Sequence, residues 1–109
     1  MKMLFDQGAP VPLRRQLPEH DVATAFEQGW SALSNGSLLD TAEQAGFELL
    51  STTDSNLQYQ QNLTERRIAI IVLRSASWPR IQRSIPAIQD AVKRASIGTY
   101  EEIEIPYGN

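Results

Sequence analysis

Cysteine is absent from this 109-residue chain, and histidine occurs once, as His20. Without thiols there are no disulfides, thiolate zinc sites or cysteine nucleophiles, and one imidazole cannot build a poly-histidine metal site within the chain. Lysine is scarce too, because eight of the ten basic residues are arginine. No apolar run approaches the roughly 20 residues that cross a bilayer. The opening MKMLFDQG holds too short an apolar stretch for a secretory leader, so a cytoplasmic protein without membrane association is expected. What chemistry remains must use carboxylates, hydroxyls, amides and guanidinium groups. Such a donor set suits a hard cation such as magnesium better than zinc or copper.

The length is that of one domain, residues 1–109, and a hydrophobic content of 41% allows a modest layered core. The net charge is −3, but Glu101, Glu102 and Glu104 carry that excess, and the rest of the chain is balanced. The arginines cluster as Arg14 with Arg15, Arg66 with Arg67, and Arg74 with Arg80 and Arg83. Each cluster reads either as a solvated surface with ordinary ion pairs or as a set of bidentate phosphate contacts.

Apolar periodicity alternates along the chain between strand and helix spacing. Residues 3–6 (MLFD) form a short apolar run ending in an acid, and residues 10–17 start like a helix, with Pro10 suited to a first turn. Residues 21–26 (DVATAF) alternate like a strand, whereas residues 37–45 have helical spacing and Gly46 in place to end the helix. Residues 47–53 read as a strand, residues 55–63 as a helix, and residues 67–73 (RIAIIVL) as a central strand covered on both faces. Residues 78–95 place Ile81, Ile85, Ile88, Val92 and Ala95 at helical intervals, with Pro86 expected to kink or split the helix. Residues 99–105 (TYEEIEI) alternate as an acidic edge strand. The order predicts a three-layer α/β fold around a mostly parallel five-stranded sheet, order 2-1-3-4-5, with Leu4, Leu50, Ile70, Ile71 and Val72 in its core.

In an open parallel sheet, ligands bind beyond the carboxyl ends of the strands, where the strand order reverses. Asp6 closes the first expected strand and Asp54 follows the third. In that order these strands are neighbours, roughly 5 Å apart, and two carboxylates so placed suit one magnesium ion that keeps most of its waters. Repulsion between them should raise at least one above the ordinary value near 4 when no cation is present. Structural roles compete at each position. Asp54 fits a helix N-cap, Asp6 fits an Asx turn before Gly8, and Asp40 has capping-box spacing with Ser37. Arg74 and Ser75 should face the same rim, with Arg74 able to clamp a phosphate. Trp30 and Trp78 offer either stacking faces or core packing. Gln60, Gln61 and Asn62 read either as base contacts or as a polar helix face.

The segments KMLFDQGAP, GSLLDTAEQAGFELLSTTDSNL and IAIIVLRS together resemble the minimal PIN-like domains encoded in toxin–antitoxin pairs, over nearly the whole chain. The resemblance implies magnesium- or manganese-dependent RNA cleavage, and a small antitoxin-like protein partner that covers the acidic rim. Asp6 matches the family's first acid, and Thr52, Thr53 and Asp54 match its T-x-D. Asn56 falls on the second acid of that segment, and Asn35 falls near the acidic helix start, with Asp40 one turn later. Amides thus replace two acids. The resemblance makes Asp6, Asp54, Asn56, Asn35 and Asp40 the catalytic candidates and Asp6 and Asp54 the metal ligands. Arg74, Thr53 and Arg14 are the candidates for phosphate or RNA contact. A homodimer is left open. So are two other classes: a PIN-like binding module without catalysis, and a receiver-like phosphoacceptor domain using Asp6, Asp54 and Ser75. The latter would need a lysine after its fifth strand, where this chain has none.

Overall fold

The computed structural model describes residues 1–57 and 66–106. Five strands, β1 (Lys2–Phe5), β2 (Asp21–Thr24), β3 (Leu49–Thr52), β4 (Ala69–Leu73) and β5 (Tyr100–Ile103), form one sheet in the order β2-β1-β3-β4-β5. Every neighbouring pair is parallel. The α/β class and the strand order follow the sequence pattern, and the expected core residues Leu4, Leu50, Ile70, Ile71 and Val72 are all buried. β4 is buried at every position, as a strand flanked on both faces must be.

Alternation along the strands divides the core in two. One face packs Met3, Phe5, Leu49, Ile71 and Leu73 against a 3-10 helix (Val11–Gln16) and two α-helices. The other packs Leu4, Leu50, Ile70 and Val72 against α1 (Asn35–Gln44), whose Leu38, Leu39 and Ala42 face inward. The two helices of the first layer are α2 (Trp78–Gln82) and α3 (Ile85–Arg94). Pro86 therefore splits the expected long helix rather than bending it. It sits in the first turn of α3, where its missing N–H costs nothing.

Several boundaries move for local reasons. Where a helix start was expected over residues 10–17, Val11–Gln16 form a 3-10 helix, with Pro10 at its cap and Pro12 in its first turn. The second strand stops at Thr24, and Ala25 and Phe26 enter a turn. α1 starts at Asn35 with Ser34 as its cap, so the pair of Ser37 and Asp40 lies inside the helix and does not begin it. Of the helix expected over residues 55–63, residues 58–63, with Gln60, Gln61 and Asn62, lie outside the described residues.

Candidate site at the carboxyl edge of the sheet

Phe5 is paired with Thr24 on one side and Ser51 on the other, so the next residue, Asp6, emerges between β2 and β3 at the carboxyl edge. Its N–H donates to Ser51 O (3.0 Å), and Ala25 N–H donates to Phe5 O (2.8 Å), which ties that exit to both neighbours. Asp54 leaves β3 at the same edge, two residues beyond Thr52. The two acids therefore share the rim where the strand order reverses.

One hydroxyl links them. Thr52 Oγ1 donates to Asp6 Oδ2 and accepts from Asp54 N–H (3.0 Å). Asp6 Oδ1 accepts from Gly8 N–H (3.0 Å) and Ala9 N–H (3.2 Å), which is the Asx turn that the FDQG segment suggested. Asp54 Oδ1 accepts from Asn56 N–H (2.9 Å), and its Oδ2 accepts from Asn35 Nδ2 (2.7 Å) at the amino end of α1. That first turn holds no acid of its own, so Asp54 is the carboxylate that meets the positive end of the helix. Asn35, Asp54, Thr52 and Asp6 form one hydrogen-bonded run.

Burial pushes the Asp6 carboxyl above its ordinary value of 3.8, against the bonds from Thr52, Gly8 and Ala9, and the charge of Asp54 adds to the rise. The repulsion expected between the acids is thus present but is the smaller cause. A carboxyl raised in the folded state keeps its proton at pH values where the unfolded chain has lost it. The native state then loses stability as pH rises from about 3.8 through the elevated folded value. Thermal unfolding of the metal-free protein across this range should show that loss in the wild type and not in Asp6→Asn. Parallel curves for the two proteins would assign it to other groups.

Gly8 is required by close approach. A Cβ there would overlap the Thr53 hydroxyl and lie 3.3 Å from Thr53 Cβ. Gly8→Ala is expected to cost about 1–3 kcal/mol, read as a lower urea midpoint, and to pull Asp6 out of its turn. An unchanged midpoint would show that Thr53 rotates away freely. Thr53, expected to contact RNA, thus has a packing role against the Asp6 turn.

The other expected residues are differently placed. Arg14 forks onto Glu27 through Nη1 (3.2 Å) and Nη2 (2.6 Å), and these bonds hold Glu27 below the usual carboxylate range. Arg74 donates to Glu102 (2.6 Å) and lies 3.9 Å from Glu104. Both arginines are engaged in ion pairs rather than open to phosphate. Asp40 is not brought to the rim: it is a full turn and more down α1 from Asn35, and pairs with Arg66, which also binds Glu43 (2.9 Å). Asn56 meets the site through its backbone, with the residue exposed. Trp30 stacks edge-on against Phe47 in the core beneath α1 (5.9 Å), and Trp78 packs against the opposite core. Among the described residues, no group of three or more carboxylate, imidazole or thiol side chains gathers at one point.

Two clefts flank Asp6. The larger, about 520 Å³, is lined by Val11, Arg14, Phe26 and Glu27, and the smaller, about 120 Å³, by Trp30, Ser31, Leu33 and Asn35. Gln7 borders both. Phe26 escaped the sequence reading because residues 21–26 alternate like one strand. The missed signal was Thr24-Ala25-Phe26-Glu27, whose Thr and Glu have capping-box spacing. No protein-family model, characterised protein or solved structure matches the chain. The PIN-like resemblance accordingly rests on the residues quoted for it.

Proposed function

We infer that the rim holding Asp6 and Asp54 is a weak magnesium or manganese site that supports slow cleavage of RNA, in a protein of the PIN-like, toxin-like kind. The observation that carries this reading is the hydrogen-bonded run from Asn35 through Asp54 and Thr52 to Asp6. It fixes two carboxylates side by side at the ligand-binding edge of a parallel sheet. The donor set fits a hard cation, since it consists of carboxylate and hydroxyl oxygens and includes a carboxylate that burial makes costly to ionise. Asp6 and Asp54 hold the cation. Thr52 sets their spacing, and Asn35 and the Asn56 backbone orient Asp54. When bound, the cation supplies charge stabilisation to the scissile phosphate and acidity to water. With two carboxylates rather than three or four, binding is weak and turnover slow. A small antitoxin-like protein that covers the rim with an Arg or Lys side chain is the matching control, since such a cation can replace the metal between the acids.

One observation favours a second reading, a PIN-like binding module without catalysis: Arg14 and Arg74 are both tied to glutamates. A receiver-like phosphoacceptor lacks its lysine at this edge. The chain's two lysines are Lys2, whose Nζ donates to Ala45 O (2.6 Å), and Lys93, beside His20 at the opposite edge.

The test follows the Asp6 and Asp54 carboxyl carbons by NMR during magnesium titration, with cleavage of mixed RNA by wild type and Asp54→Asn. The two signals should move first, and slow magnesium-dependent cleavage should vanish in the variant. Signals that stay fixed at millimolar magnesium, with equal cleavage by both proteins, would replace the nuclease reading with the binding module.

A further inference from the structure

Asn35 is followed by Gly36, and this is the one Asn-Gly pair in the chain; Asn56 and Asn62 precede leucines. An asparagine loses its amide when the backbone nitrogen of the next residue attacks its side-chain carbon, and glycine permits the approach best because it has no Cβ. In regular structure that N–H is usually tied to a carbonyl. Here it is not. Asn35 opens α1, and the first N–H groups of a helix have no intrahelical partner. The amide series begins only at Leu38, whose N–H donates to Ser34 O (2.7 Å). Ser34 gives the turn no side-chain acceptor, since its hydroxyl donates to Ser37 Oγ instead (3.4 Å). Among the described residues, nothing accepts from Gly36 N–H. Asn35 and Gly36 are both half-buried. Asn35 also lines the smaller cleft beside Asp6, whose roughly 120 Å³ has room for water.

The neighbours decide what loss of the amide would create. Asn35 Nδ2 donates to Asp54 Oδ2 at 2.7 Å, and Thr52 joins Asp54 to Asp6. With an oxygen in place of Nδ2, two carboxylates face each other at hydrogen-bonding distance and no donor lies between them. Such a pair is stable only around a proton or a cation. A change at one atom therefore turns a donor to Asp54 into a further anionic ligand, and hard-cation affinity rises with ligand charge.

We propose that Asn35-Gly36 is a self-modification site, at which the chain converts its own amide to aspartate and adds a third carboxylate to the rim of Asp6 and Asp54. The only co-reactant is water. Gly36 N gives its proton to solvent and bonds to Asn35 Cγ; the Cγ–Nδ2 bond breaks, and ammonia leaves a cyclic imide. Water then adds at Cγ, the bond from Cγ to Gly36 N breaks, that nitrogen regains a proton, and a carboxylate remains. Nothing is oxidised or reduced. The bond to Asp54 and the helical backbone at Asn35 must both open before the attack. Conversion is accordingly slow, and its extent records the age of the molecule. The consequence for cation binding rests on the proposed metal site; the chemistry at Asn35 does not.

The experiment ages the purified chain in mildly alkaline buffer with EDTA, folded and in urea. Peptide mass spectrometry then follows Asn35, with fragmentation that separates aspartate from isoaspartate, the product of opening at the main-chain carbonyl. In the folded chain, aspartate should appear at Asn35 ahead of any change at Asn56 or Asn62. Gly36→Ala should suppress it, because a Cβ now flanks the attacking nitrogen and alanine holds the helix better. Magnesium affinity, read by NMR at the Asp54 carboxyl carbon, should rise about tenfold on conversion. It should match that of fresh Asn35→Asp and stay constant in aged Gly36→Ala. Raised affinity without RNA cleavage by aged or fresh protein would remove the nuclease reading and leave the modification site standing. Any of three results overturns the proposal: Asn35 intact in the folded chain but converted in urea, no aspartate among the products, or conversion with unchanged magnesium affinity. None of these touches magnesium binding by the fresh protein, on which the nuclease reading stands.

Discussion

On the proposed nuclease reading, replacing Asn35 by aspartate is expected to raise magnesium affinity, and with it RNA cleavage, by about tenfold or more, because affinity for hard cations climbs with the number of charged ligands. Asn35 already reaches Asp54 at 2.7 Å from the first turn of α1, so the new carboxylate needs no rearrangement to join the pair. Without metal the same change should destabilise the protein. It converts a hydrogen bond into a repulsion beside a carboxyl, Asp6, that is already raised by burial and by Asp54. Losing the donor to Asp54 alone is worth about 1–3 kcal/mol. The variant should therefore melt below wild type in EDTA and recover in magnesium. Faster cleavage together with metal-dependent melting would tie both effects to the cation. A variant that melts low in both buffers and cleaves no faster would show that charge at this position does not reach the reaction.

Phe5→Ala should be the most damaging single truncation in the sheet, lowering unfolding free energy by about 3–5 kcal/mol. Phe5 is fully buried, pairs with both β2 and β3, and lies among Met3, Leu13 and Ile81 in the larger of the two core clusters. Domains of this size hold only about 5–15 kcal/mol in total, so the variant would sit near the threshold of folding. Because Asp6 follows directly, the rim should loosen before the protein unfolds. Urea titration should give a lower midpoint with an unchanged slope. Val11→Ala, at an exposed position, should move the midpoint by less than the equivalent of about 0.5 kcal/mol. Equal effects from the two substitutions would contradict the assignment of the core.

The architecture was legible because its strongest signals are local. RIAIIVL is apolar at every strand position, which only a doubly covered strand permits, and β4 is buried throughout. Asp6 and Asp54 were locatable because an acid that closes an apolar run must come out at a strand end. Partnerships between distant segments were not legible. Nothing in the local sequence says that Arg14 will meet Glu27, Arg74 meet Glu102, or Arg66 meet Asp40, since each pairing exists only once the sheet has formed. The Asx turn at Asp6 and a carboxylate in the functional rim had been set against each other as competing readings. In the structure one oxygen of Asp6 serves the turn and the other accepts from Thr52 at the rim, so the turn is present and leaves the carboxylate facing the strand ends.

The strand order also sets how the chain can be put together as it is made. β1 is synthesised first and takes β2 on one flank and β3 on the other; β4 then adds to β3, and β5 to β4. Each new strand thus meets an edge that has already left the ribosome, and none must be inserted between two strands already paired except by docking to an open side. Parallel pairings are slow to form because of the chain they must span, and vectorial growth lets this sheet extend one strand at a time as synthesis proceeds. The rim carrying Asp6 and Asp54 needs only β1, β3 and the start of α1 beside it, all of which precede β4 and β5 in the chain.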